Sequence, residues 1–257
     1  MEAIVAALTA QHAELAGLLD RSTGHDWRRD SPCEGWDVAA VVLHLAQSDE
    51  IALASVQGRF AEMVGRLGPG DGAPGDGAPG TSVDEGVERL VAHERSTPPA
   101  QIHERWSTSA SALRAALASI DPHARVEWVV GDMAARTLAT TRLAEAWIHT
   151  GDVATALDVQ LAPTDRLVHI ARLAWRTLPY AFTRDGREPP GPVAFRLRGP
   201  DGAAWDFLPD EEPSTVITGD AIELCLVAAR RRSPRDTGLR GDGPDAAAVL
   251  DLMRTWA

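Results

Sequence analysis

Apolar residues recur at helical spacing from the first positions of the chain. Ile4, Val5, Leu8, Leu15, Leu18 and Leu19 share one face of residues 2–20, which predicts an amphipathic helix. Ser31-Pro32-Cys33-Glu34-Gly35-Trp36 interrupts the pattern and predicts a turn. Asp37 then stands where an N-cap belongs, its carboxylate placed to accept from the first free amides of a helix predicted to run to about residue 65. Residues 68–80 repeat Gly, Pro, Ala and Asp, cannot bury a core, and predict a mobile loop. Helical patterning returns over 83–95, stops at Pro98-Pro99, and resumes over 101–119. A short extended piece at 126–130 precedes a long helix over 133–158. Beyond Pro163 a helix over 165–182 gives way to a different period. Residues 192–209 read as two strands about a Gly-Pro-Asp-Gly turn, 214–219 as a third strand, and 220–232 and 244–256 as short helices. The prediction is a mostly α chain with an α+β C-terminal part, in two domains, 1–160 and 161–257.

Composition narrows the function classes. Hydrophobic residues are 44% and charged residues 24% of 257, so a sizeable core forms without disulfide or metal support. The net charge is −12, from 37 acidic residues against 25 basic ones, all of them Arg. Such a surface repels phosphate backbones and anionic lipids, so neither a nucleic-acid nor a membrane partner is expected. The N-terminus lacks a basic segment before its apolar run, which argues against a signal peptide, and no run of about 18 apolar residues predicts a membrane span. Cys33 and Cys225 make no disulfide framework, which points to the reducing cytoplasm.

Glu145 and His149 are the leading candidates for chemistry. Four residues apart in a helical segment, they project from one face and can share a divalent cation. His44, set among Val41, Val42, Leu43 and Leu45, needs a buried partner and is the candidate third ligand from another helix. Two imidazoles and one carboxylate leave an open position suited to catalytic zinc, though not to zinc alone. Each piece also has an ordinary reading: a solvated Glu/His pair, and a core histidine with a satisfied partner. Trp36 and Trp147 are read as packing. Cys33 has no His nearby in sequence and is read as a small, buried or half-buried thiol, and Cys225 as core. Arg230, Arg231 and Arg232 are read as closing a helix against its dipole, with an anion clamp as the functional alternative.

Two stretches resemble a known family. SPCEGWDVAAVVLHLAQSDE, with its Pro-Cys-x-Gly-Trp and His-Leu pairs, and RLAEAWIHTGDVATAL, with Arg142, Glu145, Trp147, His149 and Asp152 in register, are similar to the signatures of the mycothiol-dependent maleylpyruvate isomerase family. That family belongs to the DinB-like four-helix-bundle metalloproteins. The motifs stand in the right order and the resemblance spans nearly the whole chain, with a C-terminal match that is mostly architectural. It implies a DinB-like bundle followed by a small C-terminal domain. It implies His44, Glu145 and His149 as ligands of a divalent cation, usually Zn2+. By helical spacing, Asp152 reads either as a partner orienting an imidazole or as a helix-surface carboxylate, and Arg142 either as reaching an anionic substrate group or as pairing with Glu145. The resemblance also implies mycothiol as co-substrate, whose thiolate adds to an activated cis double bond of a small molecule and leaves after rotation, or is transferred. Bundles of this type often pair, so a homodimer is expected. Rival readings on the same scaffold are a thiol-independent hydrolase, cyclase or dehydratase, and a non-catalytic metal-binding stress protein. Thr150 and the 68–80 insert depart from the family pattern without removing a ligand.

Overall fold

The computed structural model describes residues 1–66 and 83–255, so the repeat at 68–80 lies outside the described residues. The chain divides into two compact units, Met1–Leu161 and Ala162–Ala257. The first is helical, built from α1 (Glu2–Leu19), α2 (Val38–Val56), α3 (Phe60–Arg66), α4 (Val83–Glu94), α5 (Pro99–Ser119) and α6 (Ala135–Ala156). Helices α1, α2, α5 and α6 pack on one another as a four-helix bundle. Its core is lined by Leu8, Leu15, Leu43, Leu45, Leu113, Leu117, Leu138 and Leu143, all fully buried or nearly so.

Helix α2 is apolar on nearly all sides because it lies inside the bundle. Among the described residues it is the one helix long and apolar enough to cross a membrane, and 83% of that stretch is buried within the fold. Asp37 caps it as expected, its side chain accepting from the Ala40 amide at 2.9 Å. The single helix predicted to about residue 65 is in fact two. Gly58 takes a φ of +68°, and the Arg59 amide folds back onto the Ala54 carbonyl at 2.7 Å. That left-handed cap ends α2 at Val56 and lets α3 leave in a new direction. The extended piece at 126–130 pairs over less than its predicted length. β1 (Arg125–Val126) and β2 (Met133–Ala134) form a two-residue antiparallel ladder around a turn closed by Gly131, whose amide donates to the Trp128 carbonyl at 2.9 Å.

The second unit contains α7 (Leu167–Arg176), α8 (Leu178–Arg184), β3 (Val193–Arg198), β4 (Ala204–Phe207), β5 (Thr215–Asp220), α9 (Ala221–Ala228), β6 (Arg240–Asp242) and α10 (Ala246–Leu252). The sheet runs β4-β3-β5-β6, with β3 antiparallel to β4 and parallel to β5, and β5 antiparallel to β6. Val193, Phe195 and Leu197 bury one face of β3 while Arg196 and Arg198 face solvent. The helix predicted over 165–182 divides at Thr177, because Pro179 cannot supply an amide to continue it. Arg230, Arg231 and Arg232 do not close a helix. α9 ends at Ala228 with no basic residue in its last turn, and Arg230 adopts a φ of +59° beyond it.

Candidate metal centre

His44 lies two turns into α2, and Arg142, Glu145, His149 and Asp152 line one face of α6, which packs directly on α2. The two helices therefore bring together residues about a hundred positions apart. His44 Nε2 is 3.3 Å and His149 Nε2 is 3.5 Å from Glu145 Oε2. One donor atom from each of the three residues lies within 4.8 Å of the others, and all three side chains are buried. A tetrahedral ion with bonds of about 2.0–2.1 Å sets its donors roughly 3.3 Å apart, so this trio has the span such an ion needs. Glu145 Oε1 is buried with no hydrogen-bond partner, an acceptor that a cation would satisfy. By donor chemistry and spacing, the residues fit a borderline-soft divalent ion such as zinc.

The surroundings set the charge of each donor. Burial pushes the Glu145 carboxyl upward, but the hydrogen bonds from His149 and His44 and the nearby Arg142 charge hold it well below the ordinary carboxylate range. His44 is lowered, chiefly by burial against the opposing pull of Glu145, so it stands as a neutral imidazole. Burial would lower His149 as well, yet its bond to Asp152, followed by those to Cys33 and Glu145, raises it well above the ordinary value. Metal occupancy would therefore compete with a proton on His149.

Asp152 is 2% exposed and its Oδ2 lies 2.9 Å from His149 Nδ1. Donation from Nδ1 to Asp152 fixes the imidazole with its Nε2 edge toward Glu145. Arg142 is also buried. Its Nη2 donates to Ser48 Oγ at 2.9 Å, its Nε is 3.4 Å from Asp49 Oδ1, and its guanidinium sits 5.8 Å from the centre of the Trp128 ring. Nη2 is 4.0 Å from Glu145 Oε2, so Arg142 also contributes to the field at the carboxylate. Trp36 packs its ring 5.4 Å from that of His44 and donates its indole N–H to Glu88 Oε2 at 2.7 Å, which ties α4 to the centre.

Cys33 is the residue whose surroundings the sequence did not reveal. Its thiol lies 3.2 Å from Asp152 Oδ2 and 3.9 Å from His149 Nδ1. These partners are 119 and 116 positions away, so no local motif could announce them.

Comparison with known proteins follows the same lines. The family model of the mycothiol maleylpyruvate isomerase N-terminal domain matches residues 8–154. Two curated relatives, both uncharacterised proteins of Mycobacterium tuberculosis strains, are 31% identical over 256 residues, covering 98% of this chain and 95% of theirs. Two crystal structures of a mycothiol-dependent maleylpyruvate isomerase, one of them a mutant, align over 95% of each chain with TM-scores of 0.60 and 0.61 at 18% identity, a likeness of fold.

Proposed function

Since the chain belongs to the mycothiol maleylpyruvate isomerase family, we propose that it is a metal-dependent enzyme that uses mycothiol to isomerise a small electrophile, or transfers the whole thiol onto it. The observation that carries this reading is the trio of His44, Glu145 and His149, with donors within 4.8 Å of one another and one carboxylate oxygen left without a partner. In that reading these three side chains hold a divalent cation, zinc by donor type. When bound, the cation lowers the pKa of a coordinated thiol and so provides thiolate at neutral pH.

The chain's own residues do the rest. Glu145 supplies the fixed negative charge and, with His44 and His149, would make up the three-donor set that holds the ion. Asp152 keeps the His149 ring in one orientation by accepting from Nδ1, at 2.9 Å. Arg142, held by Ser48 and Asp49, fixes a positive charge close to Glu145 and offsets negative charge brought in by an anionic substrate. Trp36, itself buried with its ring 5.4 Å from that of His44, covers the α2 side of the centre against water. A low-molecular-weight thiol co-substrate calls for a reducing compartment, so the reading places the protein in the cytoplasm.

The test is metal content by plasma mass spectrometry on native protein, beside His44→Ala and His149→Ala, followed by calorimetry of mycothiol binding. The expected result is roughly one zinc per chain in the parent, loss in both variants, and mycothiol binding only to the loaded protein. Metal unaffected by both substitutions would overturn the ligand assignment. A loaded protein that ignores mycothiol would shift the reading to a thiol-independent metalloenzyme.

A further inference from the structure

We propose that Cys33 is a positioning residue for the His149 imidazole, acting through Asp152. One oxygen of Asp152, Oδ2, receives two contacts, from His149 Nδ1 at 2.9 Å and from the Cys33 thiol at 3.2 Å. The sulfur is also 3.9 Å from Nδ1, so thiol, carboxylate oxygen and ring nitrogen form a closed triangle. A donor arriving on that oxygen from another element narrows the orientations open to the carboxylate, and so to the ring that depends on it.

The turn that carries Cys33 is rigid without help from the thiol. The Ser31 amide donates to the Trp36 carbonyl at 2.9 Å, and the Ser31 hydroxyl to the same carbonyl at 2.8 Å. The Cys33 amide donates to Ser31 Oγ at 3.1 Å, and the Trp36 amide to the Cys33 carbonyl at 3.0 Å. This turn leads directly into the capped start of α2, the helix that bears His44. The thiol thus references the α6 imidazole to the α2 side of the centre. Asp152 is 2% exposed and Cys33 only half-buried, so the sulfur forms the outer edge of the triangle.

The part of this inference that concerns metal rests on the reading of His149 as a ligand, and the experiment separates the two. Cys33→Ala removes the donor, whereas Cys33→Ser restores one from a smaller atom. The first readout is solvent exchange of the His149 Nδ1 proton, followed by 1H–15N spectroscopy in metal-free protein. The second is zinc affinity by competition with a chromophoric chelator. Cys33→Ala is expected to speed the exchange about tenfold and weaken zinc about tenfold, at the lower end of what a residue behind a ligand contributes. Cys33→Ser is expected to recover both to within about threefold of the parent. An unchanged exchange rate in Cys33→Ala would overturn the proposal. So would equal losses in both variants accompanied by equal falls in Tm, which would make the thiol mere packing. If exchange responds as expected while no variant, nor the parent, binds zinc, the positioning role stands and the metal reading fails.

Discussion

At the scale of the residue, Glu145 concentrates the argument for a ligand. Its Oε2 is shared by two imidazoles, its Oε1 has no partner, and the side chain is 2% exposed. A buried acceptor left without a donor costs about 1–3 kcal/mol, which a structural carboxylate would not be expected to retain. Glu145→Gln keeps the size and helical preference of the side chain while removing its charge. It is expected to weaken zinc by more than about 100-fold, beyond the loss from disturbing a residue behind the ligands. Chelator competition measures this, and a loss below tenfold would remove Glu145 from the ligand set. Local periodicity singled out His44, Glu145 and His149, a polar residue inside an apolar helix and two at i and i+4, and the family resemblance joined them into one candidate site. Cys33 was not legible in this way, since its meaning depends on a contact formed only when the turn before α2 meets α6.

At the scale of the element, α2 both fills the bundle and delivers His44. Its start is set by Asp37, whose carboxylate accepts from the Ala40 amide at 2.9 Å and faces Arg28 at 3.3 Å. Asp37→Ala is expected to lower stability by about 1 kcal/mol, read as a shift of the urea midpoint with an unchanged slope. No shift would mean that water replaces the cap at no cost. The beginnings of helices were well read because caps and prolines act within a few residues. Their ends were read less well. The break at Gly58 depends on a left-handed backbone, and a lone glycine in a helical pattern does not declare which conformation it will take. β6 escaped notice for a different reason. Its three residues, Arg240, Gly241 and Asp242, are all exposed and carry no alternation, so only pairing with β5 makes them a strand.

At the scale of the whole molecule, a second buried polar cluster adds its own response to acid. His12 Nδ1 accepts from Arg114 Nη1 at 2.7 Å, and Nε2 is 3.9 Å from Asp49 Oδ2. Burial first, then Arg114 and Arg142, lowers His12 to about 3. Burial raises Asp49 to about 6 against the pull of Arg142. The signs oppose one another. Below its unfolded value of 6.5, the unfolded chain protonates His12 while the folded one does not, so stability falls as pH drops from 6.5 toward 3. Asp49 takes up its proton earlier in the folded state, so stability rises as pH drops from 6 toward 3.8. Between pH 7 and pH 5 the first effect is a loss of about 2 kcal/mol and the second a gain of about 1 kcal/mol. His12→Gln is therefore expected to lose less stability than the parent on acidification over this interval, and Asp49→Asn to lose more. Urea titrations at the two pH values decide, and parallel behaviour of all three proteins would refute the assignment. The pairing of His44 with Glu145 has a consequence of another kind. The two residues are 101 positions apart, so an ion gripping both would act as a removable cross-link closing a long segment of chain. For a covalent link, closing a loop near that length is worth about 4.7 kcal/mol through the entropy withheld from the unfolded chain. Such a clasp would add the supply of metal in the cell to what the sequence itself contributes to the endurance of the bundle.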